Sequence, residues 1–395
     1  MKEIYSQNHI TLLHNGEALF TSIEASLDEA VHEIYILSYI FKNDHIGRRI
    51  AEALRRAALR GVRTHLLIDG FGSKNLPHTM IDYMKAGGIM VRKFRPKISP
   101  WTFRRRRLRR LHRKIVVVDL KIAFVGGMNI QDQKITSDQA ESFYDFAVSV
   151  EGPLVRSIYS SCVQVWTHVT RNRLRFALSR KRKSDLPRPQ SPGTMRVAFL
   201  ERDNFHHRRD IENAYLQAIN QADTEIIIAN AYFLPGMNFR HALCAAARRG
   251  VRVVLLLQGK MDHRLFHFAA EALYGSFLDA GIEIYEHHKA FLHAKVAVID
   301  SYWATFGSSN LDPFSLLLSL EANVVVLNHT FATALKASLD QAISNEARRI
   351  WGNAWKLQPL ALRLVSWFSY GLVRFMVGIA GYAPNNWPER IARRL

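Results

Sequence analysis

The chain contains a copy of itself. The stretches "LRRAALRGVRTHLLID" (54–69) and "LCAAARRGVRVVLLLQ" (243–258) share a helical pattern, a glycine where the helix ends and an aliphatic strand, with Gly61 and Gly250 189 residues apart. Each is preceded by a further strand candidate, "EIYILSYIF" (33–41) or "TEIIIANAYF" (224–233), and followed by a helix closing at "AGGI" (86–89) or "AGI" (280–282). Strands alternating with helices predict an α/β fold in two similar halves, each a mixed sheet flanked by helices. Basic, Pro and Ser residues interrupt all periodicity in "LSRKRKSDLPRPQSPG" (178–193), which reads as a linker. The expected organisation is a first half over 1–178, a linker over 179–193, a second half over 194–346 and an apolar tail over 347–395.

A sharper repeat lies inside this one. "RLHRKIVVVD" (110–119) and "FLHAKVAVID" (291–300) place His112, Lys114 and Asp119 at the spacing of His293, Lys295 and Asp300. Alternate residues of a strand share a face, so each histidine is presented with its lysine. Beyond each aspartate comes a glycine-led turn, "GGMN" or "GSSN", ending in Asn129 or Asn310; Ser308 stands in the second turn where Gly127 stands in the first. The motif regions are thus 106–133 and 287–314. Asp145 in "YDFAVSV" and Glu321 in "LEANVVV" each open the next strand, the first half reaching it through five extra residues. A single His-x-Lys is noise. Three specified residues at fixed spacing arise by chance on the order of a few per cent of the time, and twice with matching Gly and Asn far less often.

These residue types suit phosphodiester exchange, which needs a nucleophile, a proton for the departing alkoxide, and cationic or hydrogen-bonding groups around the phosphoryl oxygens. Two histidines, two lysines and two asparagines supply them. The doubled His-x-Lys-x4-Asp with Gly-x-x-Asn resembles the phospholipase D superfamily over most of residues 5–345. The resemblance implies two α/β halves packed as a pseudo-dimer around one shared active site, with phosphatidyl lipids as substrates. It implies His112, Lys114, Asp119, His293, Lys295 and Asp300 as the catalytic set, and Asn129, Asn310 and Ser308 around the phosphate. Asp145 and Glu321 would each hold the far ring nitrogen of a motif histidine. For Asp119 and Asp300 a turn-organising role competes with catalysis. One imidazole is expected to form a phosphohistidine while the other shuttles the proton, carrying a phosphatidyl group from one phosphatidylglycerol to another to give cardiolipin and glycerol. A hydrolase or nuclease of the same superfamily, or a binding protein on a relict fold, are the alternatives.

Composition bears on partners. With 54 Lys and Arg against 34 Asp and Glu the chain carries +20, which suits phosphate-bearing polymers or anionic membranes. Residues 92–114 hold twelve Lys or Arg and no acid, mixed with Phe94, Trp101 and Phe103, and read as a membrane-facing loop. The apolar stretch 359–384, with Arg363 and Arg374 on nearly one helical face, reads as a helix lying in the interface. Together they favour phosphatidylglycerol and an anionic membrane surface over nucleic acid, and a peripheral protein on the cytoplasmic face. Cys162 and Cys244 are too few for a disulfide framework, and the N-terminus lacks the pattern of a signal peptide, so the chain is expected to begin in the cytosol. No cofactor and no metal are expected: the lysines provide the positive charge, and the histidine pairs at 206–207 and 287–288 lack zinc-site spacing.

Overall fold

The computed structural model describes residues 3–96, 109–132, 143–170, 193–203, 207–261, 263–313, 315, 319–352 and 359–379. Most of the linker, the arginine-rich stretch 97–108 and the chain after 379 lie outside the described residues. The first half contributes strands β1 (Tyr5–His14), β2 (Glu33–Ser38), β3 (Arg63–Asp69), β4 (Met90–Phe94), β5 (Arg110–Leu111), β6 (Ile115–Val118), β7 (Ile122–Gly126), β8 (Phe143–Tyr144) and β9 (Phe146–Glu151). The second contributes β10 (Met195–Arg202), β11 (Glu225–Asn230), β12 (Arg252–Gln258), β13 (Glu283–His287), β14 (Phe291–Leu292), β15 (Lys295–Ile299), β16 (Trp303–Gly307), β17 (Ser319–Leu327) and β18 (Ala347–Ile350).

Among the described residues sixteen of these strands join into one sheet that runs through both halves, antiparallel across the central pair β1 and β10, while β8 and β14 pair separately. Outward from that pair, β1-β9-β7-β6-β2-β3-β4 repeats as β10-β17-β16-β15-β11-β12-β13. In each half the outer three strands are parallel and separated by helices, while the motif strands β6 and β15 are antiparallel to their neighbours. The sheet is therefore mixed, as the alternation of elements predicts. The helices His45–Leu59 and Met237–Arg248 are capped by Arg60 and Arg249 and followed by Gly61 (φ 90°) and Gly250 (φ 93°), where the left-handed conformation favours glycine. One boundary differs from expectation. Residues 347–350 stay in the body, because β18 pairs antiparallel with β13 and covers the outer edge of the sheet.

Three apolar clusters hold this arrangement. Two are private, one covering the outer face of each half. The third is shared: it takes Val117 and Val148 from the first half, Val298 and Val324 from the second, and the helices Leu154–Thr170 and His329–Glu346. A common core of this kind makes the halves one folding unit, since separating them would expose apolar surface at roughly 25 cal/mol per Å².

The motif aspartates sit at the far ends of β6 and β15. Asp119 and Leu120 (φ 51° and 55°), like Asp300 and Ser301 (φ 51° and 48°), form tight hairpin turns with both central residues left-handed. The Asp119 carboxylate accepts the backbone N–H groups of Val31, His32 and Glu33 at 2.7–2.8 Å; Asp300 accepts those of Asp223, Thr224 and Glu225 at 2.9 Å. These bonds favour the turn-organising role of both aspartates over the catalytic one. Asp119 lies roughly 16 Å along the strand from Lys114 and fastens the entry to β2. Asp119→Ala is expected to cost about 2–4 kcal/mol in denaturant unfolding while the folded fraction keeps its kcat, because it removes three charge-assisted bonds and no reacting group.

The C-terminal helix Leu360–Ile379 is inverted relative to an ordinary surface helix. Ser366, Ser369 and Val373 face inward, and Ser366 Oγ donates to Glu271 of the helix Arg264–Glu271. Leu360, Leu364, Trp367, Phe368 and Phe375 point out, Phe368 73% exposed. Among the described residues no helix is long and apolar enough to cross a membrane.

Candidate active site

Each motif histidine stands at the start of its strand, and each is gripped by the other half. The short strand β5 pairs with β17 and β14 pairs with β8, so the residues leading into one motif lie beside the carboxylate strand of the opposite half. His112 N–H donates to the carbonyl of Leu320 and His293 N–H to that of Tyr144, both at 3.0 Å. The side chains follow. His112 Nδ1 lies 3.0 Å from Glu321 Oε2, and His293 Nδ1 lies 2.7 Å from Asp145 Oδ2. Glu321 and Asp145 are buried, at 0% and 1% exposure, whereas both imidazoles keep 16%.

A carboxylate at Nδ1 makes that nitrogen the proton carrier, which leaves the Nε2 lone pair free. Burial lowers the pKa of both imidazoles against the pull of their carboxylates, His293 to about 4. Each ring is also pushed down by the lysines of both motifs, so the two motifs share one cationic environment. Lys114 Nζ donates to the carbonyl of His112 at 2.8 Å, and Lys295 Nζ to that of His293. Burial drives Lys114 down to about 7 and Lys295 to about 8. A lysine with a lowered pKa loses its charge as pH rises through that value. The kcat/KM for an anionic phosphodiester should therefore fall across pH 7 to 8 and not near the ordinary 10.5. A pH–rate profile that stays flat into the ordinary lysine range would show that the buried ammonium groups do not carry the anion.

The asparagines flank this cluster. Asn129 Oδ1 accepts the N–H of Ile40 at 3.2 Å, while the buried Oδ1 of Asn310 has no hydrogen-bond partner among the described residues. Ser308 is placed differently from its expected phosphate-binding role. Its hydroxyl donates to Glu321 Oε2 and accepts the N–H of Ala322, fully buried behind the His112–Glu321 pair. The first half has no room for such a hydroxyl: a Cβ on Gly127 would stand 2.6 Å from both carboxylate oxygens of Asp145. The shorter aspartate instead accepts the N–H of Phe146 at 2.8 Å. Ser308 with Glu321, and Gly127 with Asp145, are thus two matched solutions to holding a histidine.

Three positions escaped the motif. Asp69 and Gln258 end β3 and β12; Asp69 Oδ2 accepts the N–H of Leu111 at 2.8 Å and Gln258 Nε2 donates to the carbonyl of Leu292 at 3.2 Å, each fixing the residue before a motif histidine. The signal was present in the repeat, where an aliphatic strand ends in a polar residue both times. Arg113, counted in the basic stretch as facing a membrane, is buried. It joins the halves through the carbonyls of Glu321 and Arg202, Ser161 and the Glu201 carboxylate at 3.0 Å. His287 is likewise interior, between the carbonyl of Ala290 and Glu346, and His207 pairs with Asp210 at 2.7 Å. Both cysteines are free, and burial pushes the Cys162 thiol up to about 12. No group of three or more His, Cys, Asp or Glu among the described residues is arranged to hold a metal ion.

The arrangement is matched by known proteins. The chain is 36% identical to cardiolipin synthase B of Shigella flexneri and of Escherichia coli, over 97% of its own length and 92% of theirs. Its fold is that of the phosphatidylserine synthase from Haemophilus influenzae, with a TM-score of 0.67 at 13% identity and 93% of each chain covered. The family described as cardiolipin synthase, PLD-like domain, matches residues 23–151 and again 215–343, one match in each half, and the chain belongs to that family.

Proposed function

We propose that this chain is a cardiolipin synthase of the membrane surface, moving a phosphatidyl group from one phosphatidylglycerol to another with release of glycerol. The observation that carries the chemistry is the crossed pairing of His112 with Glu321 and His293 with Asp145. In this reading one Nε2 attacks phosphorus and the P–O bond to glycerol breaks, the second imidazole, entering protonated on both nitrogens, giving its Nε2 proton to the departing oxygen. The phosphatidyl group is then held on histidine. A hydroxyl of the second phosphatidylglycerol surrenders its proton to the same imidazole and attacks phosphorus, which frees the first histidine. Lys114, Lys295, Asn129 and Asn310 face the phosphoryl oxygens, so turnover should persist in excess chelator.

The relatives named cardiolipin synthase B support the substrate, and the outward apolar face of the helix Leu360–Ile379 supports a peripheral, interfacial seat. The test is product analysis on phosphatidylglycerol vesicles, where cardiolipin and glycerol should dominate over phosphatidic acid and added glycerol should suppress cardiolipin. Phosphatidic acid as main product at every surface density, or cleavage of DNA with none of lipid, would sink it. Trp367→Glu with Phe368→Glu should lower vesicle binding at least about tenfold, since each ring buries roughly 1.5–3 kcal/mol of apolar surface, and leave turnover in detergent-dispersed lipid intact.

A further inference from the structure

The repeat is broken beside the active site. One residue after β2 the first half has Tyr39, and one residue after β11 the second has Ala231. The Tyr39 ring stands 4.8 Å from that of His112 and packs so closely on Gly72 that a Cβ there would meet it at 2.8 Å. In the second half a shallow cleft, open to solvent, lies at Ala231, between the ends of β11 and β12 and the helix Arg264–Glu271. Leu234, Leu257, Phe266 and Ala270 give it apolar walls, with Gln258 and Lys260 among its polar lining.

Two residues of its lining are bonded to the neighbours of His293. Ala231 N–H donates to the carbonyl of Ala294 at 3.0 Å, and Gln258 Nε2 to that of Leu292 at 3.2 Å. His293 itself meets two further apolar rings, Phe143 at 5.8 Å and Phe291 at 6.4 Å. On its other side, the helix that walls the cleft carries the inverted helix Leu360–Ile379, whose Phe368 and Phe375 point outward.

Resting on the phosphatidyltransferase reading, we infer that the cleft takes the acyl end of the lipid whose phosphate stands at His293, and that the Tyr39-closed side takes the small polar glycerol headgroup. The broken symmetry sets the direction of the substrate across an otherwise two-fold site. Apolar walls reward each methylene they bury by about fourfold in affinity, whereas a headgroup of hydroxyls gains nothing from them.

Monomeric phosphatidylglycerols with acyl chains lengthening from butanoyl to octanoyl test this by kcat/KM for glycerol release. The unaltered protein should gain steadily with each added methylene, and Ala270→Phe, which fills the cleft, should flatten the series. If Ala270→Phe does not fold, as judged by its melting curve, Phe266→Ala removes part of the apolar wall and should flatten it too. Parallel series in variant and unaltered protein, or no dependence on chain length at all, overturn the cleft assignment. Glycerol release from no member of the series would overturn the phosphatidyltransferase reading itself.

Discussion

His112→Ala and His293→Ala will each lower phosphatidylglycerol turnover by about 10⁴-fold or more, and neither will be rescued by the histidine that remains. The two imidazoles perform different steps on one phosphorus, so the loss of either stops the cycle. Stability should respond unequally. His293→Ala leaves Asp145 with the N–H of Phe146, while His112→Ala leaves the fully buried Glu321 with Ser308, costing about 1–3 kcal/mol. Acid quench of labelled lipid separates the roles: the variant lacking the proton shuttle can still accumulate the covalent adduct, and the one lacking the nucleophile cannot. Substantial steady-state turnover in either variant would disprove a single shared site.

Glu321→Gln and Asp145→Asn should follow with losses of about 10²–10⁴ in kcat at nearly constant KM. An amide can donate to Nδ1, which moves the ring proton to Nε2 and removes the lone pair that must attack or accept. Because each carboxylate serves the histidine of the opposite half, Glu321→Gln should produce the defect of His112 and Asp145→Asn that of His293. Ser308→Ala loosens Glu321 without altering charge, and about a tenfold loss is expected, consistent with one hydrogen bond. A rise in KM at unchanged kcat would mean that the carboxylates only hold the halves together.

Much of this site was readable along the chain. The repeat, the two α/β halves, the His–Lys pairing on one strand face and the positions of Asp145 and Glu321 are all matters of local period or of comparing one half with the other. A strand's two-residue period dictates which side chains face together wherever that strand ends up. The helix-ending glycines Gly61 and Gly250 were legible for the same reason, since a left-handed backbone is a local demand.

What depended on contacts between distant segments was not. Asp119 and Asp300 share the motif's spacing with the histidines, yet point into turns at the other end of their strands. Spacing records neighbourhood in sequence and not the direction in which a strand runs. Arg113 reads as one more surface cation until the second half is packed against it. Ser308 reads as a phosphate ligand until Glu321 is seen beneath its hydroxyl. The exchange of carboxylates between halves, and the opening left where Ala231 faces the place of Tyr39, exist only once β5 lies beside β17 and β14 beside β8. These were decided in three dimensions because the shared apolar core, and no local preference, sets how the two halves face each other.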